Sequence, residues 1–290
     1  MACGILIVDK PQGWTSQDVV AKLRGVFHEK RVGHGGTLDP MATGVLPVFV
    51  GRATRAVPFF ESAEKGYLAH LRLGISTNTQ DIQGEVLAET PQNVSREDLQ
   101  AVLPRFLGDI SQIPPMFSAI KIGGKKLYEL ARQGKEVERK GRLIHIFSLA
   151  AGEKTEEGDF PLTVHCSKGT YVRTLCHDLG ETLGCGGCMS YLRRLKAGRF
   201  TLSDAHTLEE ILQAEDPTKF LLPVDSLFGD LPAVTLTEKE EVSCRHGNPI
   251  VPFSREGKYF RVYNKAGEFL MLGRKDGHRL MTEKSFFEVK

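Results

Sequence analysis

Eight residues, Gly33-His34-Gly35-Gly36-Thr37-Leu38-Asp39-Pro40, constrain this chain more than any other segment, because they fit neither a helix nor a strand. Three glycines in four positions permit backbone angles that other residues avoid. Pro40 pushes Asp39 out of the helical region into an extended conformation. The apolar run over residues 45–50 then reads as a buried strand. A carboxylate on a glycine-rich, proline-braced loop is exposed and held in one orientation, as a nucleophile or general base must be. From spacing alone, the plainer reading of Asp39 as a turn or Asx-capping residue is favoured. The segment matches neither the phosphate-binding loop with its Gly-Lys-Ser/Thr ending nor the dinucleotide fingerprint.

The remaining elements alternate in type. Residues 2–8 read as a short buried strand, and Ser16 as the cap of a helix over 18–27. Residues 67–73 and 85–89 read as strands. Ser95 with Asp98 resembles a capping box before a helix that carries Leu99, Val102, Leu103 and Phe106 on one face. A helix from Lys125 to Arg132 follows the Gly123-Gly124 turn. Residues 143–149 and 162–166 read as strands, and 170–183 as an amphipathic helix with Val172, Leu175, Cys176, Leu179 and Leu183 at helical spacing. Residues 189–195 read as a strand with outward basic residues, and 208–212 as a last short helix.

The chain has 290 residues, which suggests two domains or one large domain with an appendage. With 41% hydrophobic and 26% charged residues, disordered, collagen-like and coiled-coil classes are excluded. The boundary is expected at Leu231-Pro232, beyond which short strands and turns suggest a small β-barrel. The expectation is therefore a mixed α/β (α+β) domain over 1–231 and an all-β domain over 232–290. The longest apolar run, residues 2–8, falls far short of the ~20 residues of a membrane helix. The N-terminus also lacks a basic leader and cleavage pattern. A cytoplasmic protein without membrane contact is expected.

Six cysteines without a secretory leader argue against disulfides. Cys185-Gly-Gly-Cys188 is a single C-x-x-C with no second pair to complete a zinc site, so buried thiols and no metal are expected. The net charge of +2 says little, but its distribution says more. Residues 121–142 and 245–279 each carry eight Lys/Arg against three acids, whereas 201–241 carry ten acids and two lysines. Separated basic stretches can converge on one anionic polymer, although solvated helix faces and loops remain the plainer account.

A second candidate site is Cys166-Ser167-Lys168-Gly169-Thr170-Tyr171-Val172-Arg173 at a strand-to-helix junction. Backbone amides there, with Lys168 and Arg173, suit an anion. Arg173 can equally pair with a carboxylate and hold it ionised. A plain helix start with a surface arginine fits as well, and Tyr67 and His34 taken singly read as strand packing and a loop hydrogen bond.

Taken together, the segment Gly33 to Pro47, Asp9-Lys10-Pro11-Gln12-Gly13, the Cys166 to Leu175 segment, Lys125-Lys126-Leu127-Tyr128-Glu129 and Tyr191-Leu192-Arg193-Arg194 resemble the bacterial tRNA pseudouridine synthase B (TruB) family in their order. The resemblance covers essentially the whole chain, and its Asp39 segment is highly specific. The part after Pro232 resembles, more loosely, the small RNA-binding PUA barrel that often ends these proteins. The fold implied is a pseudouridine synthase domain with a mixed, largely antiparallel sheet flanked by helices. The activity implied is isomerisation of uridine to pseudouridine in the T-arm of tRNA, at the position conventionally numbered 55. By matching position, Asp39 is the catalytic aspartate, Arg173 its paired arginine, and Tyr67 the tyrosine stacked on the base and a candidate to take the C5 proton. His34 assists base extrusion, Tyr171 and Leu192 line the base pocket, and Lys10 and Pro11 support the site from beneath. The implied partner is the tRNA T-arm stem-loop. No cofactor, no guide RNA and a monomer are expected. The chain departs from the family pattern at Thr77-Asn78-Thr79, where Thr-Asp-Thr is usual, with Asp81 retained, and at Cys188, where histidine is more usual. An RNA-binding module or tRNA-folding chaperone shares the basic stretches but has no need of Asp39, Arg173 and Tyr67 together.

Overall fold

The computed structural model describes residues 2–288. Its centre is a large mixed sheet whose principal strands run in the order His206–Thr207, Gly4–Lys10, Thr43–Val50, Gly187–Ala197, Lys65–Leu73, Phe160–Cys166, Arg142–Ala151, Gly108–Gln112. Neighbours are antiparallel except at two places. Gly187–Ala197 runs parallel to Thr43–Val50, and His206–Thr207 runs parallel to Gly4–Lys10. The sheet is thus mixed and largely antiparallel, as expected.

The burial of each strand explains its sequence pattern. In Gly4–Lys10, Leu6 and Val8 enter the core packed by Val19, Val20 and Leu23 of the helix Ser16–Val26, while Ile5 and Ile7 face Phe49 and Phe60 on the opposite side. Both faces are covered, so the strand reads as a continuous apolar run. Lys65–Leu73 alternates strictly between buried and half-buried positions, because only one of its faces meets the core. That covered face packs against Leu175 and Leu179 of the helix Val172–Thr182.

Local signals are met with small corrections. Ser95 and Asp98 form the reciprocal capping box of Arg96–Val102. The first helix is capped by Thr15 with Asp18, not by Ser16, because Ser16 is buried and its hydroxyl is engaged elsewhere. The helix expected from Lys125 is shorter, Leu127–Ala131, since Lys125–Lys126 pairs with Lys121–Ile122 as a small hairpin.

The C-terminal segment is not all-β as expected, because the helix Glu238–Arg245, capped by Thr237, follows its first strand; its strands form a four-stranded sheet, and no closed barrel is found among the described residues. The order is Ala233–Thr235, Tyr259–Tyr263, Phe269–Asp276, Arg279–Ser285, and the first and last strands are not paired among the described residues. Val234, Phe260, Val262, Leu270 and Leu280 form its own core. Leu272 and Phe286 pack instead with Phe228 and Phe200 of the larger part. Arg52 Nε donates to Phe286 O at 2.9 Å, and Tyr263 donates to Asp225 at 2.6 Å. Among the described residues no helix is long and apolar enough to cross a membrane.

Candidate active site

The loop carrying Asp39 leaves the strand Val32–His34 and returns as Thr43–Val50. Its three glycines serve different ends. Gly36 has φ +105°, which an L side chain rarely adopts, whereas Gly35 is needed for packing, since a Cβ there would lie 2.5 Å from the Phe60 ring. Gly33 meets neither constraint. Just beyond the loop, a Cβ on Gly44 would lie 2.2 Å from the Arg194 carbonyl, so two strands approach closely there.

Three clamps hold this loop from below. The buried Ser16 hydroxyl accepts from Leu38 N at 2.8 Å and donates to Leu38 O at 3.2 Å. Gly13 N donates to Pro40 O at 2.8 Å. Lys10 is fully buried, and its ammonium donates to the carbonyls of Pro11 at 3.0 Å, Trp14 at 2.5 Å and Pro40 at 3.4 Å. Burial pulls the Lys10 ammonium down to about 8, against the raising effect of the Asp39 charge. Lys10 is thus tied to the loop through Pro40, and neither it nor Pro11 is among the residues lining the cleft. Replacing Ser16 with alanine leaves a buried Leu38 N–H without its acceptor. The expected cost in urea unfolding is about 1–3 kcal/mol, with kcat falling because the loop is freed. A stability loss below about 0.3 kcal/mol would show that Ser16 is not such a clamp.

Arg173 enters from the first turn of Val172–Thr182. Its side chain is 6% exposed, and its Nε meets Asp39 Oδ2 at 2.9 Å. The rest of the guanidinium is fixed. It donates to Thr79 O at 3.0 Å and Phe117 O at 2.9 Å, with Asp81 Oδ2 at 3.5 Å. An arginine tied to that many partners cannot follow a moving carboxylate, so it holds Asp39 in one orientation. The Asp39 side chain remains 36% exposed, open to an incoming ligand. Burial pushes the Asp81 carboxyl up, while Thr79 and Arg173 oppose that shift. Tyr171 caps the helix, with its backbone gripped by Gln112 through a 2.8 Å and a 3.0 Å bond.

Asp39, Tyr67, Tyr171, Arg173 and Leu192 all line one cleft of about 400 Å³. Tyr67 is 8% exposed, and burial pushes its phenol up. His34 does not line the cleft. It sits half-buried opposite Val48, and burial pulls its imidazole down.

Two cations lining the cleft are absent from the sequence-based site. Lys65 is held by the carbonyls of Ala63 and Glu61, and burial followed by the Arg194 charge pulls it down to about 8. Arg194, expected to point outward, is buried at 1% exposure beneath the Gly36–Thr37 backbone. The strand alternates so that Leu192 and Arg194 share the cleft face, while Arg193 on the other side pairs with Asp9 at 2.6 Å. Among the described residues no three His, Cys, Asp or Glu side chains gather as metal ligands. Cys185 and Cys188 are both buried.

Comparisons with known proteins identify the family. A model of the N-terminal domain of TruB family pseudouridylate synthases matches residues 24–172, and one of the tRNA pseudouridylate synthase B C-terminal domain matches residues 173–229. The tRNA pseudouridine synthase B of Syntrophomonas wolfei is 45% identical over 278 residues, covering 93% of this chain and 92% of that protein. The protein of the same name from Ralstonia pickettii is 47% identical over 249 residues, covering 84% and 78%. Among solved structures, a Cbf5-Nop10-Gar1 complex contains a chain that is 27% identical with a TM-score of 0.74, over 99% of this chain and 85% of that one. Family models that together match residues 24–229, with a relative 45% identical along nearly the full length, leave one assignment: the chain belongs to the TruB family of pseudouridylate synthases.

Proposed function

We propose that this chain isomerises uridine to pseudouridine in tRNA, at the T-arm position conventionally numbered 55. The observation that carries this reading is the Asp39 carboxylate, partly exposed at the cleft and pinned at 2.9 Å by a buried Arg173. The reaction breaks the N1–C1′ bond, turns the uracil and joins C5 to C1′. No atom enters or leaves overall, so the balance calls for no co-reactant. It does call for a carboxylate that attacks or stabilises the developing cation, and for access to a base stacked in a loop. Flipping that base costs a few kcal/mol, which aromatic and apolar walls partly offset. Asp39 is the catalytic carboxylate and Arg173 holds it in place. Tyr67 stacks on the base and takes the C5 proton, and Tyr171 and Leu192 complete the walls. Lys10 and Pro11 support the loop, and His34, outside the cleft, helps extrusion from the RNA side. The test is tritium release from C5-tritiated tRNA by the purified chain with no guide RNA added. Release supports the reading; tRNA binding without release would make this an RNA-binding protein only.

The division into 1–231 and 232–290 belongs to the same proposal, with the C-terminal part acting as a PUA-like RNA-binding domain on a monomeric enzyme. Its own apolar core and its exposed Arg255, Lys258 and Arg279 support this. Because Leu272 and Phe286 are shared with the larger core, deleting the segment would expose Phe228 and confuse the result. Exchanging Lys258 and Arg279 for alanine avoids that. The tRNA affinity is expected to fall, and the salt slope to shrink by roughly 0.7–0.9 log units per lost phosphate contact, leaving kcat at saturating tRNA unchanged. An unchanged slope would remove these residues from the RNA interface.

A further inference from the structure

Arg194 is almost completely buried, yet among the described residues no carboxylate pairs with it. Its guanidinium donates to the backbone carbonyls of Val45 at 2.7 Å, Gly36 at 3.2 Å and Thr37 at 3.4 Å, and reaches the Tyr67 side chain. Carbonyl dipoles satisfy its N–H groups but leave its charge uncompensated, and desolvating such a charge costs several kcal/mol that an apolar side chain would not incur. Anchoring a loop does not by itself require a full charge. The residue directly opposite in the antiparallel pair is Tyr67, and both side chains line the cleft.

We infer that Arg194 is a positioning residue that couples Tyr67 to the Asp39 loop: its fork fixes the Gly36 and Thr37 carbonyls, and its charge faces the Tyr67 hydroxyl as the cation against which that hydroxyl ionises. The inference rests on the reading that Tyr67 takes the C5 proton. In that step the Tyr67 phenolate takes the proton from C5. The C5–H electron pair forms the C5=C6 double bond, and the C6=N1 pair moves to N1, which takes a proton from water. The groups facing the phenol are Arg194 from the neighbouring strand, Cys166 from the strand on the other side, and Asp39 from the loop; Lys65 precedes it on its own strand. Burial pushes the phenol up, Cys166 and Asp39 add to that, and Arg194 is the group that opposes it.

The test places 3-fluorotyrosine at position 67 of the full chain and follows its ionisation by fluorine NMR without tRNA, in wild type, Arg194→Gln and Arg194→Lys. Gln keeps donors for the carbonyls but removes the charge; Lys keeps the charge but loses the fork. Gln is expected to raise the phenol titration by about one pH unit or more, a tenfold fall in its acid constant, and Lys to hold it within about 0.3 unit. The rising limb of the single-turnover rate against pH should move with the titration in Gln. Lys should slow the reaction at least about tenfold at an unmoved limb, because the loop carbonyls are no longer fixed. If Gln does not fold, Lys decides alone, since a Lys titration raised by about a unit overturns the inference. An unmoved titration in folded Gln overturns the coupling of Arg194 to Tyr67. A moved titration with an unmoved rate limb overturns it at the other step, by removing Tyr67 as the proton acceptor.

Discussion

Asp39→Asn is expected to abolish pseudouridine formation while leaving tRNA affinity within about threefold of wild type, because phosphate contacts dominate binding. Asparagine preserves the side-chain shape and still offers Arg173 an oxygen acceptor. It removes the charge, which is what a nucleophile or a cation-stabilising group supplies. The fold should tolerate the change. Asp39 is 36% exposed, and Arg173 retains the carbonyls of Thr79 and Phe117 and the nearby Asp81. Thermal unfolding measured beside activity separates the two effects: activity should vanish with Tm little changed. Turnover at about a tenth of the wild-type rate or more would overturn the assignment of Asp39, since loss of an attacking group leaves far less than that.

The contrast between Asp39 and Arg194 shows which parts of this site can be seen in the sequence. Asp39 stands in a local pattern, with glycines before it and proline after it, and every constraint on its backbone lies within a few residues. The same holds for the alternation of Lys65–Leu73 and for the Ser95–Asp98 cap, both of which the structure reproduces. Arg194 looks like any basic residue on a half-exposed strand. Its burial is imposed by the Gly36–Thr37 backbone, which arrives from more than 150 residues away in sequence. Lys10 is hidden for the same reason, since the carbonyls that collect its ammonium come partly from the distant Pro40. Ser16 was one residue from the true cap, and its hydroxyl proved to hold Leu38. The open C-terminal sheet is a related case. Short strands and turns predict an all-β unit, whereas the segment also holds the helix Glu238–Arg245 behind its Thr237–Glu240 cap, and closure depends on pairing of the first strand with the last, which no local pattern encodes.

Tyr67 is the residue whose two proposed tasks can be separated by substitution. Stacking on the base needs only the ring, whereas accepting the C5 proton also needs the oxygen. Tyr67→Phe keeps the ring in a site only 8% exposed, and Arg194 keeps its three carbonyl acceptors, so the fold should be preserved. Tyr67→Leu loses ring and hydroxyl together. If Tyr67 removes the proton, the Phe variant should still cleave the N1–C1′ bond and rotate the base, then stall with C5 protonated. A rearranged, C5-protonated product should accumulate on tRNA carrying uridine, and tritium release should fall by about 10²–10⁴-fold, the usual effect of removing a general base. The Leu variant should lose that product as well, because an unstacked base is not held for cleavage. The burial that pushes the phenol up makes it a poor phenolate at neutral pH but a stronger base once ionised. Proton removal through Tyr67 should therefore speed up as pH rises towards the phenol's ionisation, and in the Phe variant that rising limb should disappear. A Phe variant within about fivefold of wild type, with its pH limb intact, would leave Tyr67 only the stacking role and assign the proton to water or another group.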